Sequence, residues 1–303
     1  MEQMKRKRPF FSVIIPTYNR PRQLRSCLKA LSSLDYPRDC FEVIVVDDGN
    51  NVSMGSILSS FKDRLDITLV RQRHGGPAAA RNAGAMCAKG EFLAFTDDDC
   101  APASGWLNNL AARFIKASDP AVGGKTINAF RGNRYSVATQ IVVDYLCRWY
   151  NTDPEQARFC ASNNLAIPAK GFHAIGGFDT TFTRAGGEDR EFCDRWLYSG
   201  YRLVYAPEAL VYHLHSLTFG TFLRQHFKYG RGSFRFHQAE RARHNLKGVR
   251  LQPLSFYQHL VKAPSLRALD QQAFMLSGLM LICQVSTAAG YLWEQMLRTI
   301  DKS

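Results

Sequence analysis

Three consecutive aspartates at positions 97–99 directly follow the apolar residues 92–95. Neighbouring negative charges repel one another, so this triplet needs cationic or hydrogen-bonding partners. Carboxylates at the end of a strand can hydrogen-bond a ribose or a base, and they can hold a hard divalent cation that bridges phosphate oxygens. An isolated acidic triplet is more often a solvated loop. The elements around the triplet therefore decide between a loop and a binding site.

Apolar segments of strand length alternate with helical patterns in the first half of the chain. We predict strands at 10–16, 41–49, 66–72 and 91–99, and helices at 20–33, 53–62 and 75–90. This alternation is typical of an α/β protein with a doubly wound, mostly parallel sheet. In such a sheet, ligands bind beyond the carboxyl ends of the strands.

Polar residues cluster at three of these predicted strand ends. The clusters are Pro16, Thr17, Tyr18 and Asn19 after the first strand, Asp47 and Asp48 after the second, and Asp97, Asp98 and Asp99 after the fourth. Three clusters at one edge of a sheet favour a binding site over a solvated loop. Gly75 and Gly76 precede the predicted helix that carries Arg81, and a helix N-terminus there favours an anion.

Charge and cysteine usage narrow the class of protein. The chain of 303 residues has a formal net charge of +13 and a pI of about 9.5, which favours anionic partners such as nucleotides, nucleic acid or an acidic membrane surface. Its eight cysteines include no CxxC pair. This spacing argues against a zinc knuckle and a disulfide framework, and it suits a reducing compartment.

The chain resembles the family 2 glycosyltransferases, which have the GT-A fold. The resemblance rests on an ordered set of motifs within residues 10–215: SVIIPTYNR, VIVVDDGN, GGPAAARNAGA, GEFLAFTDDDC, SNNLAIP, GGFD and GGEDREFCDRWLYSGYRLVYAPEALVYH. It implies a Rossmann-like catalytic domain over 10–215, after a basic tail at 1–9. Residues 216–303 would then form a helical extension that contacts the acceptor or the membrane.

The resemblance also implies roles for the residues at the donor side. Asp48 is expected to contact the nucleotide base, and Asp97 and Asp98 the ribose and diphosphate. Arg81 would assist with the same phosphates. The nucleotide pocket would be lined by Pro16, Thr17, Tyr18 and Asn19.

A divalent cation completes the implied donor site. Asp99 is expected to be the main ligand of Mg²⁺ or Mn²⁺, with Asp97 and His213 beside it. The metal would bridge the diphosphate of a nucleotide sugar, with a UDP-sugar as the expected donor, and neutralise charge on the leaving group.

The stretch GGEDREFCDRW supplies the implied acceptor side. Asp189 matches the general base of the family, with Glu188 beside it, and a single displacement would invert the anomeric configuration. Both acids would also be favourable at a helix N-terminus without any catalytic role. For Arg195 we favour a structural role, as the partner of Glu191 or Asp194. Asn163 and Asn164 are candidates for shaping the sugar or acceptor pocket.

The C-terminal extension shows two further patterns. A helix is predicted over 219–238, with a basic face of Arg224, Lys228, Arg231 and Arg235. This face suits either solvent or an anionic lipid surface. Residues 271–293 contain no charge and are long enough to span a bilayer, although a buried or interfacial helix fits as well. Either reading favours the cytoplasmic face of the cell membrane, with the protein peripheral or anchored by 273–293.

Two other function classes fit parts of the pattern. A GT-A-like nucleotidyltransferase would share the sheet and the acids, but it should have a glycine-rich loop with a Lys or Arg where PTYNR stands. A non-catalytic membrane or nucleic-acid binder would explain the positive charge, but its basic residues should form one tract. We expect no nucleic-acid partner. The segment QHFKY only loosely matches the QxxRW motif of processive enzymes, so we favour transfer of a single sugar to a glycan or lipid-linked acceptor.

Overall fold

The computed structural model describes residues 8–116, 120–249, 252–263 and 271–300, without the side chains of 116 and 300. Most of the predicted basic tail, residues 1–7, lies outside the described residues.

Strands and helices alternate through the first half, as predicted. The elements are β1 Phe11–Thr17, α1 Pro21–Leu31, β2 Phe41–Asp47, α2 Gly55–Ser59, β3 Ile67–Arg71, α3 Pro77–Met86, β4 Phe92–Thr96, β5 Cys100–Pro102 and α4 Trp106–Lys116. Three of the strands are shorter than predicted: β2 ends at Asp47 and β4 at Thr96, and β3 loses one residue at each end. Asp48 and the aspartate triplet therefore lie in the turns that follow the strands.

The second half adds three strands and six helices within the described residues. They are β6 Ala121–Asn128, α5 Arg134–Tyr150, β7 Asn164–Pro168, α6 Ala169–Ala174, α7 Glu188–Tyr198, β8 Leu203–His213, α8 Phe219–His244, α9 Leu254–Lys262 and α10 Gln271–Ile300. The helix predicted over 219–238 is therefore longer, and it ends where Asn245 adopts a left-handed conformation.

The described strands form one sheet in the order β3-β2-β1-β4-β7-β6-β8-β5. The pairs β1–β2, β1–β4, β2–β3 and β6–β8 are parallel, and those that involve β7 or β5 are antiparallel. This mixed, mostly parallel sheet confirms the predicted fold class. The carboxyl ends of β1, β2 and β4 share one edge, as a parallel arrangement requires.

Each face of the sheet has its own apolar core. Successive residues of a strand point to opposite faces, so Val13 and Val45 pack with α1 and α4, whereas Ile14 and Ile44 pack with α3 and α7. Both faces of the sheet are thus covered by helices. The site at the strand ends rests on a rigid support.

A third core joins α5, α8, α9 and α10. The axes of α8 and α10 approach closely because glycines stand at the crossing. A Cβ atom on Gly230 would lie 1.8 Å from the carbonyl oxygen of Thr287, and one on Gly290 would lie 2.0 Å from that of Phe227. The Ser286 hydroxyl donates to the Leu223 carbonyl at 2.8 Å. The polar middle of α10 is therefore used in packing on α8.

Candidate functional site

Each carboxylate of the aspartate triplet has a cationic partner in the protein. Arg81 contacts Asp97 at 2.8 Å, and the Arg20 guanidinium lies 3.3 Å from Asp98 and 2.9 Å from Asp99. The Thr17 hydroxyl also donates to Asp98, at 2.8 Å. These contacts offset the repulsion between the three acids, and they join the end of β1 to the turn after β4.

The pKa values of two acids of the triplet are shifted in opposite directions. Burial raises the pKa of Asp98 to about 7, and the Arg20 charge offsets this only in part. Burial has the same tendency at Asp99, but the hydrogen bond and charge of His213, with Arg20, hold the pKa of Asp99 well below its usual range. Asp99 is therefore the better anionic ligand of the two.

Arg20 was not singled out from the sequence. It lies in the PTYNR motif directly after Asn19, whose φ of 56° turns the chain away from β1. Its position in the sequence could have indicated this role. Arg20 follows the polar residues at the end of β1, and the end of β1 lies beside the end of β4, where the acids are.

A carboxylate and an imidazole meet at the end of β8. The His213 Nε2 atom lies 3.2 Å from Asp99, and ligand atoms of Asp99, Cys100 and His213 all lie within 4.8 Å of one another. Burial raises the pKa of the Cys100 thiol well above its usual range, so its sulfur stays protonated. The ring of His215 is tilted by 40° against that of His213, with 3.9 Å between the ring centroids. Both nitrogens of His215 are buried without a hydrogen-bond partner in the described residues.

Arg81 connects the triplet to the acidic start of α7. Its side chain is buried, and it contacts Glu188 at 3.3 Å as well as Asp97. The Arg81 Nε atom has no hydrogen-bond partner in the described residues. The next residue, Asn82, exchanges two hydrogen bonds of 2.8 Å with the backbone of Phe178, which fixes the GGFD turn.

Asp48 anchors the loop that precedes α3. Its carboxylate accepts hydrogen bonds from the backbone of Gly75 at 2.8 Å and Gly76 at 3.0 Å, and from the Gln72 amide at 2.7 Å. The His74 ring, 2.9 Å from the same carboxylate, stacks on Tyr18 at 4.1 Å. A contact of Asp48 with a base stays a prediction. Gln72 and His74 were missed because their role depends on the loop conformation.

Asp47 and Asn19 lie at the outer part of the same edge. Asp47 accepts from the backbone and side chain of Asn50 at 2.8 and 2.7 Å. Asn50 in turn accepts from the Asn19 backbone. Pro16, the sixth residue of β1, pairs in register with Val46. Within the predicted nucleotide pocket, Thr17 contacts Asp98 and Tyr18 contacts His74.

The acids at the start of α7 lie where the sequence places them. Gly187, with φ of 94°, precedes the helix and approaches the Gly232 backbone so closely that a Cβ would be 2.7 Å from its oxygen. Glu188 is buried and accepts from the Gly186 backbone at 2.6 Å. Burial, together with the charge of Glu188, raises the pKa of Asp189 to about 7. An acid with this pKa can exchange a proton near neutral pH.

Arg195 has the structural role that the sequence suggested. It contacts Glu191 at 2.8 Å and donates to the carbonyls of Ile175 and Gly177 at 2.6 and 2.7 Å. The predicted alternative partner, Asp194, pairs instead with Arg243 and His244 of α8. Helix α7 is therefore held against α8 by ion pairs.

Asn163 and Asn164 have different environments. Asn164 is buried, accepts from the Trp106 indole at 2.9 Å and donates to the carbonyls of Lys125 and Ala209. It bridges β6 and β8 beside their register shift. Asn163 accepts from Thr126 at 3.1 Å. Its role in an acceptor pocket stays a prediction, whereas Asn164 holds the sheet.

The predicted basic face of α8 divides into two parts. Arg231 and Arg235 contact the buried Glu294 of α10 at 2.6 and 2.7 Å, so they are not free to face a lipid surface. Arg224 and Lys228 are exposed. The sequence did not predict this pairing, because Glu294 comes from a distant helix that only the tertiary structure brings there.

A sheet of this order, with acids and arginines gathered at the carboxyl ends of β1, β2 and β4, defines the protein as a GT-A-fold enzyme. The chain belongs to the family 2 glycosyltransferases: the family model "Glycosyl transferase family 2" matches residues 12–178, and "Glycosyl transferase family group 2" matches residues 99–297. It is therefore a glycosyltransferase.

Related proteins of known class are similar over most of the chain. Glycosyltransferase AglE of Haloferax volcanii is 28% identical over 77% of this chain and 76% of its own. The pre-mycofactocin glycosyltransferase of Mycobacterium tuberculosis is 30% identical over 67% of this chain, and the hyaluronan synthase of Pasteurella multocida is 31% identical over 63%. The matches span only 42% and 22% of those two relatives' lengths.

Solved structures show the same fold. Mannosyltransferase PcManGT from Pyrobaculum calidifontis, in complex with GDP-Man and Mn²⁺, covers 95% of this chain and 88% of its own at a TM-score of 0.65 and 19% identity. Residues 1–349 of TarS from S. aureus, in complex with UDP-GlcNAc, cover 96% of this chain and 92% of that one at a TM-score of 0.52 and 19% identity.

Proposed function

We propose that this enzyme transfers a sugar, with inversion, from a nucleoside diphosphate sugar to a hydroxyl of a glycan or lipid-linked acceptor. One observation carries the proposal: Thr17 contacts Asp98, and the adjacent Asp97 contacts Arg81, which in turn contacts Glu188, beside Asp189. The donor end and the base end of the site are thus coupled. The bound GDP-Man and UDP-GlcNAc of the two structural relatives support a nucleotide-sugar donor.

The residues at the end of β8 fit a divalent cation. Asp99 stays ionised, and the His213 nitrogen beside it belongs to a donor set that Mn²⁺ or Mg²⁺ accepts. Asp99 and His213 would hold the ion, with Asp97 as the third candidate. A bound metal would neutralise charge on the departing diphosphate. The Mn²⁺ in the PcManGT complex supports this assignment.

Asp189 acts as the general base in this proposal. The acceptor oxygen attacks the anomeric carbon while the bond from that carbon to the diphosphate breaks, and the nucleoside diphosphate leaves with the electron pair. The Asp189 carboxylate takes the proton of the hydroxyl. Burial, together with the charge of the neighbouring Glu188, raises the pKa of Asp189, and Glu188 is itself held by Arg81 and the Gly186 backbone.

The α10 helix would hold the enzyme on the cytoplasmic membrane surface. In the described residues, α10 alone is long and apolar enough to cross a bilayer. It packs along α8 through the buried Glu294 ion pairs, so lifting it into a membrane would leave Arg231 and Arg235 unpaired. We therefore propose peripheral attachment through the outer face of α10. Its exposed apolar side chains include Phe274, Leu281, Val285, Leu292 and Trp293.

A thermal-shift panel tests the donor site. We expect UDP or UDP-sugars to raise the melting temperature only with Mn²⁺ or Mg²⁺, because a ligand that binds only the native state stabilises it. The Asp99→Asn variant should lose this metal-dependent shift, and Asp35→Asn, a substitution outside the site, should retain it. Shifts with GDP-sugars alone would reassign the base. Equal shifts with and without metal in both variants would remove Asp99 from the metal shell.

A further inference from the structure

A narrow basic cleft lies between the loop before α7 and one face of α8. The residues that line it are Phe182, Arg184, Ala185, Gly186, Lys228, Arg231, Gly232 and Arg235. Half of these side chains are cationic, and none is acidic. The three cations of α8 recur at positions separated by three and four residues, so they face the loop together.

The positive charges of the cleft are only partly neutralised by a neighbouring acid. Arg231 and Arg235 share the single carboxylate of Glu294, which leaves an excess of positive charge. Arg184 and Lys228 are exposed at the mouth, and neither has an ion-pair partner within the described part of the chain. A site with this charge and no acidic lining favours an anion.

The cleft adjoins the loop that leads into α7, the helix that begins with Glu188 and Asp189. Arg235 donates to the Thr181 carbonyl at 2.7 Å, and the Gly186 backbone in the cleft wall donates to Glu188. Gly232 approaches the Gly186 oxygen so closely that a Cβ there would lie 1.8 Å from it. A group held in the cleft is therefore a few residues from Glu188 and Asp189, on the acceptor side of the site.

We propose that the cleft binds a phosphate group of the acceptor through Arg184 and Lys228, and so presents the acceptor hydroxyl to Asp189. This inference rests on the proposed function and names the acceptor class: a molecule that carries a phosphomonoester or phosphodiester near the hydroxyl that is glycosylated. Arg231 and Arg235 hold the wall of the cleft and add to its positive field. The same chemistry could be supplied by the headgroup of a membrane phospholipid.

Titration calorimetry with two probes tests the proposal. The soluble probe is glycerol 1-phosphate, with glycerol as the uncharged comparison. The second probe is phosphatidylcholine vesicles with and without one-fifth phosphatidylglycerol. The test variant is the double substitution Arg184→Ala/Lys228→Ala. The matched control, Arg224→Ala/Lys247→Ala, removes the same two charges from exposed positions outside the cleft.

We expect the test variant to weaken binding of glycerol 1-phosphate about tenfold or more relative to the control, because two charge-assisted contacts are lost. The conservative variant Lys228→Arg should keep most of the affinity that Lys228→Ala loses. If only vesicle binding depends on the Arg184–Lys228 pair, the phosphate comes from a lipid headgroup. Equal binding of both probes by test variant and control would overturn the proposal.

The metal-dependent nucleotide shift is measured on the same variants. An unchanged nucleotide shift in Arg184→Ala/Lys228→Ala shows that the variant is folded and that its donor site is intact. Phosphate binding that persists in a protein with no nucleotide shift would contradict the proposed donor site and leave the cleft assignment standing. The two failures are therefore distinguishable.

Discussion

At the scale of single residues, this site is organised by pairs of opposite charge. Asp97 pairs with Arg81, and Asp98 and Asp99 share Arg20. Arg81 is buried between two acids, Asp97 and Glu188. These pairs keep acids at the end of buried strands without a bound ion. They also place polar groups of several elements within reach of one ligand.

The Asp189→Asn variant should separate donor binding from transfer. We expect the metal-dependent nucleotide shift to persist and the transfer rate to fall about 10²- to 10⁴-fold, the usual contribution of a general base. Asp194→Asn, on the same helix but paired with Arg243, should keep the rate. Single-turnover transfer of a radiolabelled sugar measures both variants. A normal rate in Asp189→Asn would assign the base to another residue.

The pH dependence of the same variant carries a second expectation. Because the folded-state pKa of Asp189 is raised to about 7, the folded chain binds this proton more tightly than the unfolded chain, and stability falls as pH rises from about 4 to 7. Above pH 7 the wild type holds a buried charge that Asp189→Asn lacks. The variant should therefore melt at least about 2 °C higher at pH 8, with little difference at pH 4. A lower melting temperature at pH 8 would contradict the raised pKa.

At the scale of elements, α8 connects the site to the C-terminal helices. Its last turn contacts α7 through Arg243, and its middle lines the basic cleft. Arg231 and Arg235 of that middle part also hold α10 through Glu294. Burial opposes ionisation of Glu294, but hydrogen bonds from Arg235 and Arg231 lower its pKa. The ion pair therefore fixes how α10 lies on α8.

Glu294→Gln should destabilise the whole chain. The substitution leaves two guanidiniums without a counter-charge, and we expect a loss of about 2–4 kcal/mol, the low part of the range for a broken buried pair because both arginines keep some exposure. Arg298→Ala is the control, since Arg298 lies 3.8 Å from Glu294 and is 40% exposed, which predicts a loss below about 1 kcal/mol. Urea unfolding compares them. Equal losses would show that the Arg231–Glu294–Arg235 contacts contribute little.

At the scale of the whole molecule, the charge and the apolar face of α10 point to one orientation. The chain carries a net +13, and the outer face of α10 has no charged residue from 271 to 293. In the proposed attachment, a cationic protein with an exposed apolar helix would be attracted to an anionic bilayer and would then bury that helix in its interface. The donor site, at the edge of the sheet, needs no contact with lipid.

Leu281→Glu/Val285→Glu should weaken membrane attachment without affecting the donor site. Both side chains are more than half exposed, at 57% and 64%, so folding tolerates the change. Burying two such side chains contributes a few kcal/mol, so we expect about 100-fold or more weaker binding to vesicles that contain phosphatidylglycerol. Met86→Glu, at another exposed apolar position, should bind as wild type. Co-sedimentation measures this, and equal binding by the two variants would exclude α10 as the attachment surface.

The sequence by itself determined the alternating strands and helices, the order of the polar clusters and the family. These features follow from local patterns, because strand length, turn residues and each motif depend on a few neighbouring positions. Parallel pairing then required that 16–19, 47–48 and 97–99 share an edge.

Only the tertiary structure decided which side chains meet. Arg20 with Asp98 and Asp99, Arg81 with Glu188, and Glu294 with two arginines of α8 are contacts between residues about 60 to 110 positions apart. Residue type predicts that a buried charge needs a partner, but it does not say which partner, because that depends on how helices pack on a sheet. The pairing of Arg231 and Arg235 with Glu294 was not predicted for this reason, and the basic cleft forms only where α8 meets the loop before α7.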